Sequence, residues 1–379
     1  MRRVLALALA LLLFCGCGAG AAPAETAGVP AETEPAAVET ARQMELRYAE
    51  QFRVDYRADG SALLTVAGDD RFLIVPEGWT GEADCPVLRQ GAEALYVAAT
   101  SAMDLFVQLG ALGKVGFTST TQANWGLPEV REALETGALR YVGKYSAPDY
   151  ELLLSEGCSL AVESTMIYHS PEVQEKLEAL GVPVLVERSS YEPHPLGRVE
   201  WIKLYGLLLG LENEAAEFFD RQAALLEELD TGQALDRSVA FFHISSTGAA
   251  VVRKPGDYVT KLIELAGGRY VFDELPGSED SSLSTMNMQM EAFYAGAKDA
   301  DVLIYNSAID GELETLSQLL EKNALLADFR AVQNGEVWCT EHNMFQKSSA
   351  AAGMIGDFNA ILRLGAEAPE ELGFLHRLR

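Results

Sequence analysis

The chain has 379 residues, 49% of them hydrophobic, and a formal net charge of −27. Such a length and apolar content support more than one full core, so two domains are the expectation. The acidity argues against nucleic acid and anionic lipid surfaces as partners held by charge.

The opening MRRVLALALALLLFCGCGAG sets Arg2 and Arg3 before an apolar run from Val4 to Phe14, with Gly16 and Cys17 directly after, the layout of an export signal. The run falls short of the roughly 20 apolar residues that cross a bilayer. Residues 1–17 resemble a bacterial lipoprotein signal in which Cys17 is lipidated after cleavage. Plain secretory cleavage among the following alanines is the other reading. From Gly18 to Ala41 the sequence uses almost only Ala, Pro, Glu, Thr, Gly and Val, and residues 18–46 read as a disordered tether. Beyond the signal, Cys85, Cys158 and Cys339 are scattered, allow at most one pair, and form no disulfide framework.

Residues 47–93 read as a small β-meander. FRVDY (52–56), SALLTVA (61–67) and RFLIVP (71–76) are rich in β-branched and apolar residues, and Asp59-Gly60 and Gly68-Asp69-Asp70 supply the turns. From residue 94 to 194, short apolar runs alternate with amphipathic stretches of about ten residues, which predicts an α/β lobe with a doubly wound parallel sheet. Residues 195–230 keep helical spacing of apolar side chains throughout, interrupted only by Gly206 and Gly210. The expectation is one continuous helix of ~30 residues, far above the usual 11–12, spanning two bodies. In 231–379 the alternation resumes, with strands at 238–245, 249–253, 301–306 and 336–341, and the expected fold is α/β with two Rossmann-like lobes.

No nucleophile elbow, HExxH, Walker A loop or dinucleotide-binding GxGxxG occurs. Catalysis therefore has no visible constellation. His169, His194, His243 and His342 fall two to each half, as a metal site between lobes requires, but no two are spaced i, i+4.

The order of an exported lipoprotein, an α/β lobe, a long helix and a second α/β lobe resembles the periplasmic binding proteins that serve iron-siderophore, haem and cobalamin importers of the ABC class. SYEPHPLGRVEWIKLYGLLLG (190–210) is similar to the start of their spanning helix, and NMFQKSSAAAGMIGDFNAIL (343–362) to their last loop and terminal helix. The resemblance covers about Ala94 to Leu364, and the meander lies outside it. It implies a monomeric, non-enzymatic receptor with no intrinsic cofactor. Such a receptor holds an iron chelate, haem or corrinoid in the cleft between lobes, where loops at the carboxyl ends of both sheets converge.

On those loops the ligand-binding candidates are Trp125, Tyr145, Met166, Tyr168, Tyr191, Arg253, Met288, Asn306, Met344 and Phe345: stacking aromatics, adaptable thioethers and directed polar groups. Arg188 and Lys254 are further cations for anionic groups. The resemblance also implies docking on an ABC permease, with its cytoplasmic ATPase, through one surface glutamate per lobe. Glu151 and Glu291 occupy that context, each at the start of a short helix leading to a strand. A bare Zn or Mn binding protein of related architecture, or a secreted two-lobe enzyme, are the competing readings.

Overall fold

The computed structural model describes residues 40–229, 234–275, 284–309 and 311–379. The signal, Cys17 and most of the tether lie outside the described residues. Among the described residues the first strand starts at Thr40, inside the tether expected over 18–46. Strands β1 (Thr40–Gln43), β2 (Phe52–Arg57), β3 (Ala62–Val66), β4 (Asp70–Val75) and β5 (Val87–Arg89) form a five-stranded sheet in sequence order, antiparallel except for the β4–β5 pair. Its inward residues alternate as a half-buried strand requires: Phe52, Val54, Leu64 and Ile74 are buried and join the core of the first lobe. The meander is thus part of that lobe's core.

Two buried carboxylates fasten it there. Glu200 accepts the backbone N–H groups of Arg47, Tyr48 and Ala49 at 2.8–3.0 Å, and the Lys203 ammonium at 2.7 Å. Glu192 accepts the N–H groups of Glu50 (2.7 Å) and Gln51 (3.1 Å) and the Trp201 indole N–H at 2.7 Å. A loop whose amides would otherwise be orphaned under the sheet is satisfied by side chains far along the chain.

The first lobe contains β6 (Leu95–Val97), β7 (Val115–Thr118) and β8 (Arg140–Tyr141), a short ribbon of β9 (Gly143–Lys144) and β10 (Ala147–Pro148), then β11 (Ala161–Ser164) and β12 (Val184–Glu187). The sheet runs β12-β11-β6-β7-β8, all parallel. Helices α1 (Thr100–Gln108), α2 (Pro128–Thr136), α3 (Tyr150–Ser155) and α4 (Pro171–Ala179) cover it. The chain leaves β6 in one direction and resumes on its other side at β11. This switch point opens a crevice beyond the carboxyl ends of those strands.

The single long helix expected over 195–230 is two helices. Helix α5 (Pro195–Leu209) ends at Gly210, whose φ of 73° is left-handed, and α6 (Glu212–Glu228) folds back against it. The turn is tight enough that a Cβ at Gly206 would lie 2.5 Å from the Ala215 Cβ and 2.9 Å from the Leu211 carbonyl oxygen. Periodicity did not reveal the break because both helices carry apolar faces that continue the same spacing. Every residue of α5 except Lys203 is buried, including the charged Arg198 and Glu200. At 100° per residue, those two point to opposite sides of the helix. Leu226, near the end of α6, packs against the cores of both lobes.

The second lobe has β13 (Ser238–Ile244), β14 (Ala250–Arg253), β15 (Arg269–Tyr270), β16 (Thr285–Met288), β17 (Val302–Tyr305), β18 (Val337–Thr340) and β19 (Leu375–Arg377). Helices α7 (Tyr258–Leu265), α8 (Met290–Ala297), α9 (Leu316–Lys322), α10 (Arg330–Gln333) and α11 (Ala351–Leu364) pack on it. Its path is β16-β14-β13-β17-β18-β19, with β15 also on β13. The centre is parallel, whereas β14, β16 and β19 pair antiparallel. Cys85, Cys158 and Cys339 are all free thiols. No helix among the described residues is long and apolar enough to cross a membrane.

Candidate functional site

The switch point holds a cavity of ≈ 510 Å³. Its floor is built from the residues that follow each parallel strand: Ala98, Thr100 and Ser101 after β6, Ser119 and Thr120 after β7, Ser164 to Met166 at the end of β11, and Glu187 and Ser190 at and after β12. The β9–β10 ribbon adds Lys144 and Tyr145, α5 adds Arg198, and Phe345 arrives from the second lobe. A second cavity of ≈ 440 Å³ shares Thr165, Met166 and Ser190 with the first and extends to Lys254, Tyr258 and Ser284 of the second lobe. Together they form a crevice bounded by both lobes.

Hydrogen bonds pin the lobes beside it. The Gln346 side chain accepts from Gly126 N at 2.7 Å and donates to Asn124 O at 2.8 Å. Gly126 is required there, since a Cβ would sit 2.7 Å from that of Asn343. Ser348 Oγ donates to Ser101 O at 2.6 Å, and Ser349 N to the buried Asp104 carboxylate at 2.8 Å. Burial raises the Asp104 pKa, and the hydrogen bonds to Ser349 oppose the rise.

Of the residues singled out from sequence, Tyr145, Met166, Tyr191, Phe345 and the further cation Lys254 line these cavities. Tyr168 is exposed nearby, and its hydroxyl accepts from Arg188 Nη1 at 3.4 Å. Arg253 lies beside Phe345, its guanidinium carbon 4.9 Å from the ring centre, with its Nε 3.5 Å from Asp257. Trp125, Met288, Asn306 and Met344 are placed elsewhere. Trp125 is buried in the first lobe's core, with its indole N–H donated to Thr120 O at 3.2 Å. Met344 is buried in the second core, and Met288 sits on edge strand β16 opposite Ala250. The Asn306 side chain caps its own loop by accepting from Ala308 N at 3.1 Å.

Glu151 and Glu291 are both exposed in the first turns of α3 and α8. The histidines do not converge. His169 is exposed, His194 stacks on Tyr48 and caps α5, and His243 is buried in β13. Among the described residues no group of three or more His, Cys, Asp or Glu side chains is arranged to hold a metal ion.

Two charged residues of the larger cavity escaped sequence reasoning, Glu187 and Arg198. Glu187 accepts from Ser101 Oγ at 3.1 Å and Ser189 N at 3.0 Å. Burial raises its pKa, while hydrogen bonding to Ser189 and the positive charge of Arg198 oppose the rise. In the sequence both look like ordinary solvated charges, one at a strand end and one on a helix.

Two α/β lobes meeting over a crevice at a sheet switch point define a binding protein of the bilobal type. The family model described as periplasmic binding protein matches residues 97–342, and the chain belongs to that family. It is 25% identical over 337 residues to an uncharacterized lipoprotein of Methanocaldococcus jannaschii, covering 83% of this chain and 81% of that protein. A second uncharacterized lipoprotein of that organism is 25% identical over 229 residues, covering 59% of this chain and 52% of the relative, so the chain spans about half of its length.

Solved structures share the fold at lower identity. A petrobactin-binding protein from Bacillus subtilis superposes with a TM-score of 0.58 at 14% identity, covering 73% of this chain and 94% of that one. A periplasmic haem-binding protein from Pseudomonas aeruginosa gives 0.57 at 19%, covering 76% and 98%. The periplasmic vitamin B12-binding protein of Vibrio cholerae gives 0.51 at 16%, covering 73% and 99%.

Proposed function

We propose that this chain is the extracytoplasmic substrate-binding component of an ABC importer, attached to the membrane through a lipid on Cys17. It captures a metal chelate of the siderophore, haem or corrinoid kind and delivers it to the permease. The observation that carries the reading is the ≈ 510 Å³ cavity at the first lobe's switch point, capped by Phe345 of the second lobe. That volume lies within the roughly 300–1,000 Å³ of small-molecule sites. The chemistry required of such a protein is capture and release.

Calorimetric titration with ferric siderophores, haemin and cyanocobalamin is expected to give saturable 1:1 binding for at least one of them, with Trp fluorescence changing in step. Trp125 reports because its indole is bonded to Thr120, a cavity residue. Absence of binding across the whole panel removes the reading.

Glu151 and Glu291 are the docking points for the permease, one on each lobe. Exposed charges of this kind steer and orient association more than they add affinity. Reversing both to Lys is expected to leave ligand affinity unchanged and to abolish stimulation of ATP hydrolysis by the reconstituted importer. Stimulation that survives the double reversal removes the docking assignment.

A further inference from the structure

The charges around the crevice are unevenly committed. Three carboxylates line the two cavities, and each is engaged within the protein. Glu187 accepts from Ser101 and Ser189, Glu192 holds Glu50, Gln51 and Trp201, and Asp257 caps α7 through Val259 N while facing Arg253. Arg198 is less fully engaged, acting on Glu187 of the same cavity through its charge alone. It is 7% exposed, lines the larger cavity, makes no salt bridge among the described residues, and its Nε is buried without a hydrogen-bond partner.

Its position is nonetheless fixed. The guanidinium lies over the Tyr258 ring with its carbon 4.1 Å from the ring centre. A stacked guanidinium spends its face on the ring and leaves its in-plane N–H donors at the edge, the geometry that recognises carboxylates and related oxyanions. A buried cation with unfilled donors is costly unless an anion meets it. Lys144 adds a second positive charge to the same cavity.

The rest of the wall is mixed: Thr100, Ser119, Thr120, Ser164 and Thr165 bring hydroxyls, Ser101 spends its own on Glu187, and Tyr145, Met166 and Phe345 are the large apolar groups. A broad apolar macrocycle would leave many of those hydroxyls facing hydrocarbon. An oxygen-rich ligand pairs with them. In a chain of net charge −27, Lys144 and Arg198 set two positive charges against one carboxylate, Glu187, in the larger cavity, a local reversal of sign.

We infer that the ligand is an anionic, oxygen-rich metal chelate of the polycarboxylate kind, and that Arg198 is the residue that selects it by binding one of its oxyanion groups. The inference rests on the receptor reading above and narrows it.

The test titrates the detergent-solubilised full-length chain with four probes: ferric citrate, a cationic ferric trihydroxamate, haemin and cyanocobalamin. Ferric citrate is expected to bind most tightly, and Arg198→Met to weaken it roughly 10- to 100-fold, the loss of one charge-assisted interaction. Arg198→Lys should recover part of the loss, because it restores charge without the fork. Tighter binding of haemin, cyanocobalamin or the cationic complex, or an Arg198→Met affinity equal to wild type, overturns the inference while the receptor reading stands. If none of the four binds, both fall. Should Arg198→Met not fold by circular dichroism, exposed Lys144→Met and an ionic-strength series decide: ferric citrate affinity must drop several-fold in the variant and weaken with added salt, and an affinity indifferent to both overturns the inference.

Discussion

Glu200→Ala is expected to destabilise the folded chain by about 3–5 kcal/mol, the range for removing one partner of a buried charged network. The carboxylate is fully buried on α5 and accepts three consecutive backbone N–H groups, those of Arg47, Tyr48 and Ala49, together with the Lys203 ammonium. Truncation leaves three amides under the sheet with nothing to accept from them and the Lys203 ammonium with only the Glu45 carbonyl, at 2.9 Å. Each such group forfeits its hydration without compensation. The loop they belong to leads directly into Phe52, whose ring meets Trp201 with centroids 5.0 Å apart, so the loss reaches the shared core. Urea unfolding followed by Trp fluorescence measures the change, and limited proteolysis should open new cleavage around residues 45–51. Exposed Glu45→Ala is the control and is expected to be neutral. An unfolding midpoint for Glu200→Ala equal to wild type would show that water satisfies the loop and that the carboxylate is dispensable.

This anchoring was not legible in the sequence, and the reason is physical. A glutamate in the middle of a helix reads as a solvated charge, and only tertiary structure reveals that α5 is enclosed on nearly all sides. Arg198 escaped notice for the same reason: its burial depends on Tyr258, contributed by the other lobe from 60 positions further along. Elements with local punctuation were readable. Helix α2 has Pro128 at its start and Gly137, φ 79°, at its end, and the parallel strands β11 and β12 are short, each carries β-branched or aliphatic residues ahead of a polar end, and both are set between helices.

The break at Gly210 also had a signal, a glycine followed by the acidic first turn Glu212 and Glu214, but uninterrupted apolar spacing outweighed it. Edge strands β16 and β19 lacked any signal, being only a few residues long and half-exposed. Among the candidate ligand contacts, the residues that reached the cavities stand on loops immediately after β-strands or on the ribbon. Trp125 did not, because its indole N–H found an acceptor within its own loop.

The stability of the chain is expected to fall as pH rises from about 5 to about 8, and Glu163 is a principal cause, beside Asp104, Glu187 and Glu192, whose carboxyls burial also raises. It lies on β11 with 0% exposure, and neither carboxyl oxygen has a hydrogen-bond partner. Burial raises its pKa to about 8. The unfolded chain releases this proton near the ordinary value of 4.5, whereas the folded chain keeps it until about 8. Between those limits the folded state binds more protons, so its stability declines with a slope of up to about 1.4 kcal/mol per pH unit and levels off above the folded pKa.

Asp357 acts in the same sense at lower pH, because burial lifts it to about 6 against the hydrogen bonds from Phe374 and Gly373. His376 acts at higher pH. Hydrogen bonding to Cys339, the Leu313 carbonyl and Glu341 raises it to about 10 against burial, so its contribution is complete below 6.5 and is lost as pH rises through about 10. Glu163 is separated from the others by difference. Glu163→Gln cannot ionise, so urea unfolding at pH 5, 6, 7, 8 and 9 should show the variant gaining on wild type with each step up to pH 8 and no further gain above it. A constant difference between the two across the series would mean that Glu163 is already ionised in the folded chain, with water or a cation reaching it below the sheet.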